Sequence, residues 1–264
     1  MRQSQRFVSL VLLAAVGLAA CSPATERPPT VTPDLAPTIT PVPELAPVDL
    51  SGIKTYLTGK TGELKAATAA LKAAGEQYYQ LAAQSNFDYA VLWQNHANEA
   101  INVIQTARAA WTKASPLYEQ AEGIVAGTLS LAQYDVILDA GAAGNGDGSA
   151  PYDLTLADGR VLVRPGNLFG VNESTLWGTW PDFTAPVQAD FNRNGTIEFG
   201  EALPDAFVLQ AASATLDQYA GELATAAGAW TPTPSDAFTA LVIMIPTMSA
   251  VSYTHLTLPT NREV

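Results

Sequence analysis

Residues 89–114 read YAVLWQNHANEAINVIQTARAAWTKA, and this stretch decides the fold class. Its apolar side chains recur every three to four residues, which is the spacing of one face of an α-helix. The predicted stripe consists of Tyr89, Leu92, His96, Glu99, Val103, Ala107, Ala110 and Ala114, widened by Trp93, Ile104 and Trp111. We therefore predict a long amphipathic helix that buries this face.

Helical periodicity continues on both sides of this stretch. The upstream stripe consists of Leu64, Thr68, Leu71, Gly75, Tyr78 and Leu81. Downstream, Ser115 offers an N-cap and Pro116 suits the first helical position, so a third helix is expected to begin there and end near Gly127. Three antiparallel helices with short connections form a bundle, so we predict a mainly α fold.

The pattern becomes irregular over about residues 139–201, which we expect to be an insertion in the bundle. A short helix over residues 131–138 precedes a glycine-rich run over 141–148. Residues 154–163 alternate around Asp158-Gly159, which predicts a tight β-hairpin lying on the bundle.

Helical periodicity returns between residues 205 and 229. The predicted stripe there consists of Phe207, Ala211, Ala214, Leu216, Tyr219, Leu223 and Ala226. Ser235 is then predicted to cap a final apolar run over residues 238–245. No internal repeat, Walker loop, dinucleotide fingerprint or Gly-x-Ser-x-Gly motif occurs.

Residues 190–201, DFNRNGTIEFGE, follow the ligand order of an EF-hand calcium loop. The expected ligands, from the first position to the twelfth, are the side chains of Asp190, Asn192 and Asn194, the backbone carbonyl of Thr196, and the side chains of Glu198 and Glu201. Gly195 stands where the sharp turn requires a glycine. We predict a calcium site, and the alternative interpretation is a solvated surface turn.

This loop lacks the features of a calcium sensor. Pro181 and Pro186 prevent a long helix before it, and the sequence contains no second loop to pair with. We therefore expect the calcium ion to stabilise the fold rather than to switch it.

Other residues form weaker candidates for cation binding. His96 with Glu99, and Glu119 with Glu122, stand three residues apart and share helix faces. The alternatives are a packed, hydrogen-bonded histidine for the first pair and charges at a helix N-terminus for the second. Around the glycine-rich run lie Asp135, Asp139, Asn145 and Asp147, which are either ligands or turn formers.

The N-terminus has the features of a bacterial lipoprotein. Residues 1–20 combine arginines with a short apolar run, which is typical of a signal peptide. Leu18-Ala19-Ala20-Cys21 looks like a lipobox, so Cys21, the single cysteine, is expected to be lipidated. Residues 21–49 are rich in proline and predict an extended tether. We expect an extracytoplasmic protein, periplasmic or at the cell surface, that the lipid at Cys21 anchors to the membrane.

Residues 251–264 resemble read-through of a sequencing adapter, so we expect them not to be native and the natural chain to continue past about residue 250. The helical domain is then residues 50–250. The formal net charge of the chain is −12, and it becomes −14 without residues 1–20 and 251–264, which hold three arginines and one glutamate. Such a charge excludes nucleic acid as a partner and favours cations.

One family resemblance follows from short motifs. Tyr118-Glu119-Gln-Ala-Glu122, followed by Asp135 and Asp139, resembles a segment of the imelysin family, which includes EfeO-type iron-uptake lipoproteins and was once classed with metallopeptidases. Downstream, the family has a Gly-x-His-x-x-Glu signature running into Leu-Trp. The matching residues here are Phe169, Glu173, Leu176 and Trp177, but Leu168 replaces the glycine and Gly170 replaces the histidine.

The resemblance implies an imelysin-like helical bundle that binds a cation and acts in iron acquisition, together with protein partners in a transport system. The candidate second cation site is then Glu119, Glu122, Asp135, Asp139 and Glu173, and the cofactors are calcium and, at this second site, iron. Two alternatives remain. One is a metal-dependent hydrolase that uses Glu173 or His96, and the other is a cell-surface adaptor that contacts a protein through its irregular region.

Overall fold

The computed structural model describes residues 47–141, 152–242 and 244. The signal peptide, most of the tether, the glycine-rich run and the C-terminal segment lie outside the described residues, and so do Cys21, Asn145 and Asp147. The described chain is mainly helical and carries two small antiparallel strand pairs, so the mainly α prediction is confirmed. No helix in this part of the chain is long and apolar enough to cross a membrane.

Three long helices form a bundle: α1 (Ser51–Gln84), α2 (Tyr89–Gly127) and α5 (Ala206–Ala229). Helix α1 packs along both of the others. The Tyr78 hydroxyl, near the end of α1, donates a 3.0 Å hydrogen bond to the Pro204 carbonyl just before α5. The Lys54 ammonium, near the start of α1, donates to the Gly228 carbonyl near the end of α5 at 2.8 Å. Helix α1 therefore runs antiparallel to α5.

The predicted buried face of α1 is confirmed. Leu64, Thr68, Leu71, Gly75 and Tyr78 are buried, and Leu81 is half-buried. Each fully buried leucine contributes about 2 kcal/mol of apolar burial. The periodic pattern was sufficient to predict the buried face of α1, because α1 lies between two helices that cover the same stripe.

The prediction of a separate third helix from Ser115 is wrong. Helix α2 continues through Pro116 as far as Gly127. Beyond the proline its buried residues are Tyr118, Ala121 and Val125, which extend the stripe of Ala107, Ala110 and Ala114. A proline inside a helix removes one hydrogen bond. Burial of the continued stripe in the core offsets that loss.

Helix α2 has a kink at His96, whose backbone is non-helical with φ −133° and ψ 26°. The core positions are Leu92 before the kink and Ala100 and Ile104 after it. The predicted stripe through His96 and Glu99 is therefore wrong, because the kink changes which residues face the core. The His96 side chain is 33% exposed, and its Nδ1 lies 3.6 Å from Oε2 of the exposed Glu99.

The predicted hairpin is confirmed as strands β1 (Leu154–Thr155) and β2 (Val161–Leu162), which pair antiparallel. Its turn is closed by the Gly159 amide, which donates to the Leu156 carbonyl at 3.0 Å. Leu154 and Leu156 are buried in a small second core with Val171 of helix α4 (Leu168–Trp177) and with Val208 and Ala212 of α5. A two-stranded hairpin is marginal in water, and this core provides the burial that it needs.

The short helix predicted over 131–138 appears as α3 (Ala132–Asp135) followed by a π-helical turn (Val136–Ala140). The remaining elements of the irregular region are α4 (Leu168–Trp177), a 3-10 turn (Pro181–Phe183), and the antiparallel strands β3 (Thr184–Gln188) and β4 (Ala202–Pro204). The π-helical turn contacts α4, and both pack on the bundle.

Helix α5 has the predicted length but a different buried face. Its buried apolar residues are Ala206, Val208, Leu209, Ala212, Leu216, Ala220, Leu223 and Ala227. Of the predicted stripe only Leu216 and Leu223 are buried, and the others are half-buried. Phe207, for example, packs against Phe87 and Tyr79 at the edge of the bundle, with ring centroids 4.3 and 5.5 Å away. Apolar residues lie around much of the circumference of α5. Their spacing alone therefore does not show which of them face the core.

Residues 234–242 form a last helix, α6. Its cap is Thr233 rather than the predicted Ser235, because Pro234 already occupies the first helical position. The Thr233 hydroxyl accepts from the Asp236 amide at 3.1 Å, and Asp236 Oδ2 accepts from the Thr233 amide at 2.9 Å. Gly127 allows the close approach of α6 to α2, since a side chain there would collide with Ala240.

Candidate cation sites

The predicted calcium loop connects β3 to β4, so its flanks are strands rather than the helices of an EF-hand. Pro181 begins the 3-10 turn and Pro186 lies within β3, in line with the expectation that no long helix precedes the loop. The pairing of the two strands holds both ends of the loop together.

The three N-terminal ligand candidates fold around the loop backbone. Asp190 accepts from the amides of Asn194 and Gly195 at 3.2 and 2.6 Å. Asn192 Oδ1 accepts from the Asn194 amide at 2.9 Å, and Asn194 Oδ1 accepts from the Thr196 amide at 2.8 Å. Gly195 adopts φ +87°, a left-handed conformation that favours glycine. This sharp turn lets the Asp190 carboxylate reach the amides of residues 194 and 195.

Glu201 closes the loop from the other end. It is only 9% exposed, and its Oε1 accepts from the amides of Phe191 and Asn192 at 3.1 and 3.2 Å. Its Oε2 accepts from the Glu198 amide at 2.9 Å. The Glu198 carboxylate in turn accepts from the Asn192 side chain at 3.0 Å. The first and last ligand candidates thus meet in one network of hydrogen bonds.

The chemistry of this donor set fits calcium. All the candidate side chains supply oxygen, as carboxylates or amides, and hard oxygen ligands are those that Ca²⁺ takes. The carboxylates of Asp190 and Glu201 accept from amides of the loop, and they would have to move toward an ion to bind it.

Two arginines and an aromatic pair dock the loop on α2. The Arg108 guanidinium donates to the Leu176 carbonyl at 2.7 and 3.1 Å and also to the Gly200 carbonyl. Burial lowers the pKa of Arg108, and the charge of Glu201 opposes that shift. Arg193 donates to Asn98 at 2.7 Å. The loop is therefore held against α2 from several directions.

Phe191 adds an aromatic contact, since its ring stacks 5.9 Å from that of Trp93. Sequence reasoning missed Arg108, although one signal was present: it is a basic residue between the apolar positions Ile104 and Trp111 of the predicted stripe.

The second candidate site lies farther along α2, where the end of that helix meets α3. The Tyr118 hydroxyl donates a 2.6 Å hydrogen bond to Asp135 Oδ1, and both residues are buried. Burial raises the pKa of Tyr118 well above its ordinary value, so it remains a donor. Burial also raises the pKa of Asp135, while the hydrogen bond from Tyr118 lowers it. This contact brings Asp135 of α3 to the helix that carries Glu119 and Glu122.

Glu122 and Asp139 carry the strongest signs of crowded negative charge. Burial, followed by the charges of Asp135, Glu119 and Asp139, raises the pKa of Glu122 to about 7. Burial, followed by the charges of Glu119, Asp135 and Glu173, raises the pKa of Asp139 to about 6. The five residues predicted as one site therefore lie close enough for the charges of Glu119, Asp135 and Glu173 to act on Glu122 or Asp139. We call them the acidic cluster.

Helix α4 reaches the acidic cluster through its N-terminus. Asn167 caps α4 by accepting from the Gly170 amide at 2.5 Å, and its side chain donates to the Asp139 carbonyl. This contact holds the exposed Glu173 of α4 on the side of Asp139. A side chain at position 170 would place its Cβ 2.9 Å from Asn167 Oδ1, so this cap occupies the space that the family's histidine would need.

The structure separates the remaining candidates. His96 precedes Glu119 by 23 residues on α2, which is roughly 35 Å of helix, so His96 contributes nothing to the acidic cluster. Within the described residues, no three His, Cys, Asp or Glu side chains converge tightly enough to hold a metal without rearrangement. A cation at the acidic cluster would have to draw its carboxylates together.

In comparisons with known proteins, no family model, curated protein or solved structure matches this chain. The imelysin resemblance remains a prediction from the motifs around Glu119 and Glu173.

Proposed function

We propose that this chain is a membrane-tethered extracytoplasmic lipoprotein whose imelysin-like helical domain binds a cation at the acidic cluster and is stabilised by a calcium ion in the loop of residues 190–201. The biological role that we propose is iron acquisition. The anchor is the lipid at Cys21, as the lipobox and the proline-rich tether indicate.

The observation that carries this proposal is the uncompensated charge of the acidic cluster. Three parts of the chain contribute its carboxylates, and burial together with the charges of these neighbours raises the pKa of Glu122 and of Asp139. None of the five residues forms an ion pair with a lysine, arginine or histidine in the described chain. A bound cation would remove this repulsion, and the energy released would favour binding.

The donor chemistry favours a hard cation. Carboxylate oxygens and the Tyr118 hydroxyl are hard ligands, and no described nitrogen or sulfur ligand lies in the cluster. Ferric iron is such a cation, which agrees with the role that the imelysin resemblance implies. Calcium is also hard, so the experiment has to separate the two ions.

The calcium loop has a separate role in this proposal. Its flanking strands and the contacts of Arg108 fix it to α2 and α4, so an ion there would tie β3, β4 and α2 together. A loop held in this way favours structural stabilisation over a conformational switch.

Isothermal titration of the purified protein with calcium and with ferric citrate tests both sites. We expect calcium binding that Glu201→Gln removes, and iron binding that Glu122→Gln with Asp139→Asn weakens at least tenfold. Glu63→Gln is the matched control, because Glu63 is an exposed helical glutamate outside both sites. The proposal fails for the acidic cluster if iron does not bind, or if the double variant binds iron like the control.

A further inference from the structure

The turn in the loop of residues 190–201 joins Asn194 to Gly195, the pair of residue types in which the backbone attacks an asparagine side chain most readily. Glycine lacks the Cβ that would hinder the approach of its own amide nitrogen. Both residues are exposed, and a Cβ placed on Gly195 would meet open space. Among the asparagines of the described chain, Asn194 is the one that precedes a glycine. This side of the turn is therefore open to ring closure and to water.

The Gly195 amide faces a carboxylate that is able to take its proton. Its N–H donates to Asp190 Oδ2 at 2.6 Å, which is within the reach of a general base. A backbone amide attacks as a nucleophile only when its proton is removed. Asp190 Oδ1 also accepts from the Asn194 amide at 3.2 Å, and this second bond fixes the carboxylate against the turn. Asp190 is thus placed to act as the base on the attacking nitrogen.

The carbonyl under attack is held by a second backbone amide. Asn194 Oδ1 accepts from the Thr196 amide at 2.8 Å, and this bond folds the side chain along the peptide bond to Gly195. A donor at this distance stabilises the negative charge that an attacked carbonyl oxygen develops. The Thr196 amide therefore orients the Asn194 side chain and also makes its carbonyl carbon more reactive.

We propose that Asn194 is a self-modification site, at which the loop deamidates its own side chain. The Gly195 nitrogen forms a bond to Asn194 Cγ, and its proton passes to Asp190. The Cγ–Nδ2 bond then breaks, and the nitrogen leaves as ammonia with that proton. Water opens the resulting succinimide ring at either carbonyl, which leaves aspartate or isoaspartate at position 194. The net reaction consumes water and releases ammonia, with no change of oxidation state.

The consequence for the loop rests on the proposed calcium site. Asp190 and Asn194 are both expected calcium ligands, so a bound ion would draw the base and the attacked carbonyl away from the turn. Calcium should therefore slow the reaction. The isoaspartate product adds a methylene to the backbone and so changes the spacing of the ligands around the ion. Protein that stays without calcium would lose the site irreversibly.

Peptide mapping by mass spectrometry tests the proposal by following the loss of the Asn194 amide at neutral pH with a chelator present. A synthetic peptide of residues 186–200 contains the same groups without their fixed geometry. We expect the folded protein to react about tenfold faster than the peptide, a modest gain for general base catalysis because a carboxylate is a weak base.

A variant pair isolates the base. Asp190→Asn should slow the reaction of the folded protein about tenfold and leave that of the peptide unchanged, since only the folded loop holds this carboxylate against Gly195. Asp182→Asn is the matched control, because Asp182 is an exposed aspartate of the 3-10 turn outside the loop. Circular dichroism checks that each variant is folded. The comparison of native protein with peptide needs no variant, so it decides even if Asp190→Asn disturbs the fold.

Two results would overturn the proposal. The first is an Asn194 amide that survives longer in the folded, calcium-free protein than in the peptide. The second is a folded Asp190→Asn variant that reacts as fast as Asp182→Asn.

The same incubation with calcium separates this proposal from the calcium site. A fast reaction that calcium slows supports both. A fast reaction that calcium leaves unchanged supports self-modification and refutes binding of the ion by Asp190 and Asn194. A slow reaction in a protein that binds calcium in calorimetry refutes self-modification alone.

Discussion

Lowering the pH from about 8 to about 5 should stabilise the cation-free protein, because two carboxyls of the acidic cluster hold their protons more tightly in the folded state. The pKa of Glu122 is about 7 in place of 4.5, and that of Asp139 is about 6 in place of 3.8. Folded protein therefore binds more protons than unfolded protein across this window, and stability rises as the pH falls through the folded pKa values.

The magnitude follows from the same pKa values. A carboxyl whose pKa moves from 4.5 to about 7 would contribute about 3 kcal/mol, at roughly 1.4 kcal/mol for each factor of ten. Both side chains are half-exposed, so solvent screening reduces the sum for the two to about 1–2 kcal/mol. For a domain of this size that corresponds to a rise of about 4 °C in the unfolding temperature.

Thermal unfolding followed by circular dichroism, with a chelator present, is the assay. Glu122→Gln with Asp139→Asn should be more stable than the native chain at pH 8 and should lose most of the rise on acidification. Glu63→Gln should keep that rise. If the native protein shows a flat or falling stability from pH 8 to pH 5, or if the double variant behaves like the control, the repulsion inferred for the acidic cluster is refuted.

Three further perturbations probe other parts of the molecule. Asp217→Ala should lower the free energy of unfolding by about 2–3 kcal/mol in urea titrations, because the buried Asp217 carboxylate accepts from Lys65 at 2.5 Å and from Thr68 at 3.2 Å; a loss under 0.5 kcal/mol would contradict this account. Gly195→Ala should lower the free energy of unfolding of the calcium-free protein by about 1 kcal/mol in urea titrations, since alanine at φ +87° costs about that much; an unchanged free energy of unfolding would indicate that the turn does not hold this conformation. Cys21→Ala should move the protein from the membrane fraction to the soluble fraction in cell fractionation, and retention in the membrane would argue against the lipid anchor.

Local patterns predicted the helices well wherever one face meets a partner along its whole length. Helix α1 shows this, because its apolar residues keep a single period and the bundle covers them. The turn at Asp158-Gly159 was also predictable, since a turn depends on the backbone preferences of a few adjacent residues. The calcium site over residues 190–201 stays a prediction, which rests on the order of oxygen-bearing side chains in consecutive positions.

Features that depend on distant parts of the chain could not be predicted in this way. The continuation of α2 through Pro116 follows from burial of Tyr118 and Val125 in the core. The kink at His96 likewise changed which residues face the core. A regular spacing of apolar residues does not show where a helix will bend. Apolar residues lie around most of the circumference of α5, so the elements that pack against this helix decide which of its residues are buried.

The helical class, the order of oxygen-bearing side chains over residues 190–201 and the presence of acidic residues at 119, 122, 135, 139 and 173 can be read from the sequence alone. That the charges of Glu119, Asp135 and Glu173 reach Glu122 or Asp139 follows from the packing of α3 on α2 through Tyr118 and Asp135. Charge and hydrogen bonding act over a few ångströms in space, and sequence separation does not measure that distance.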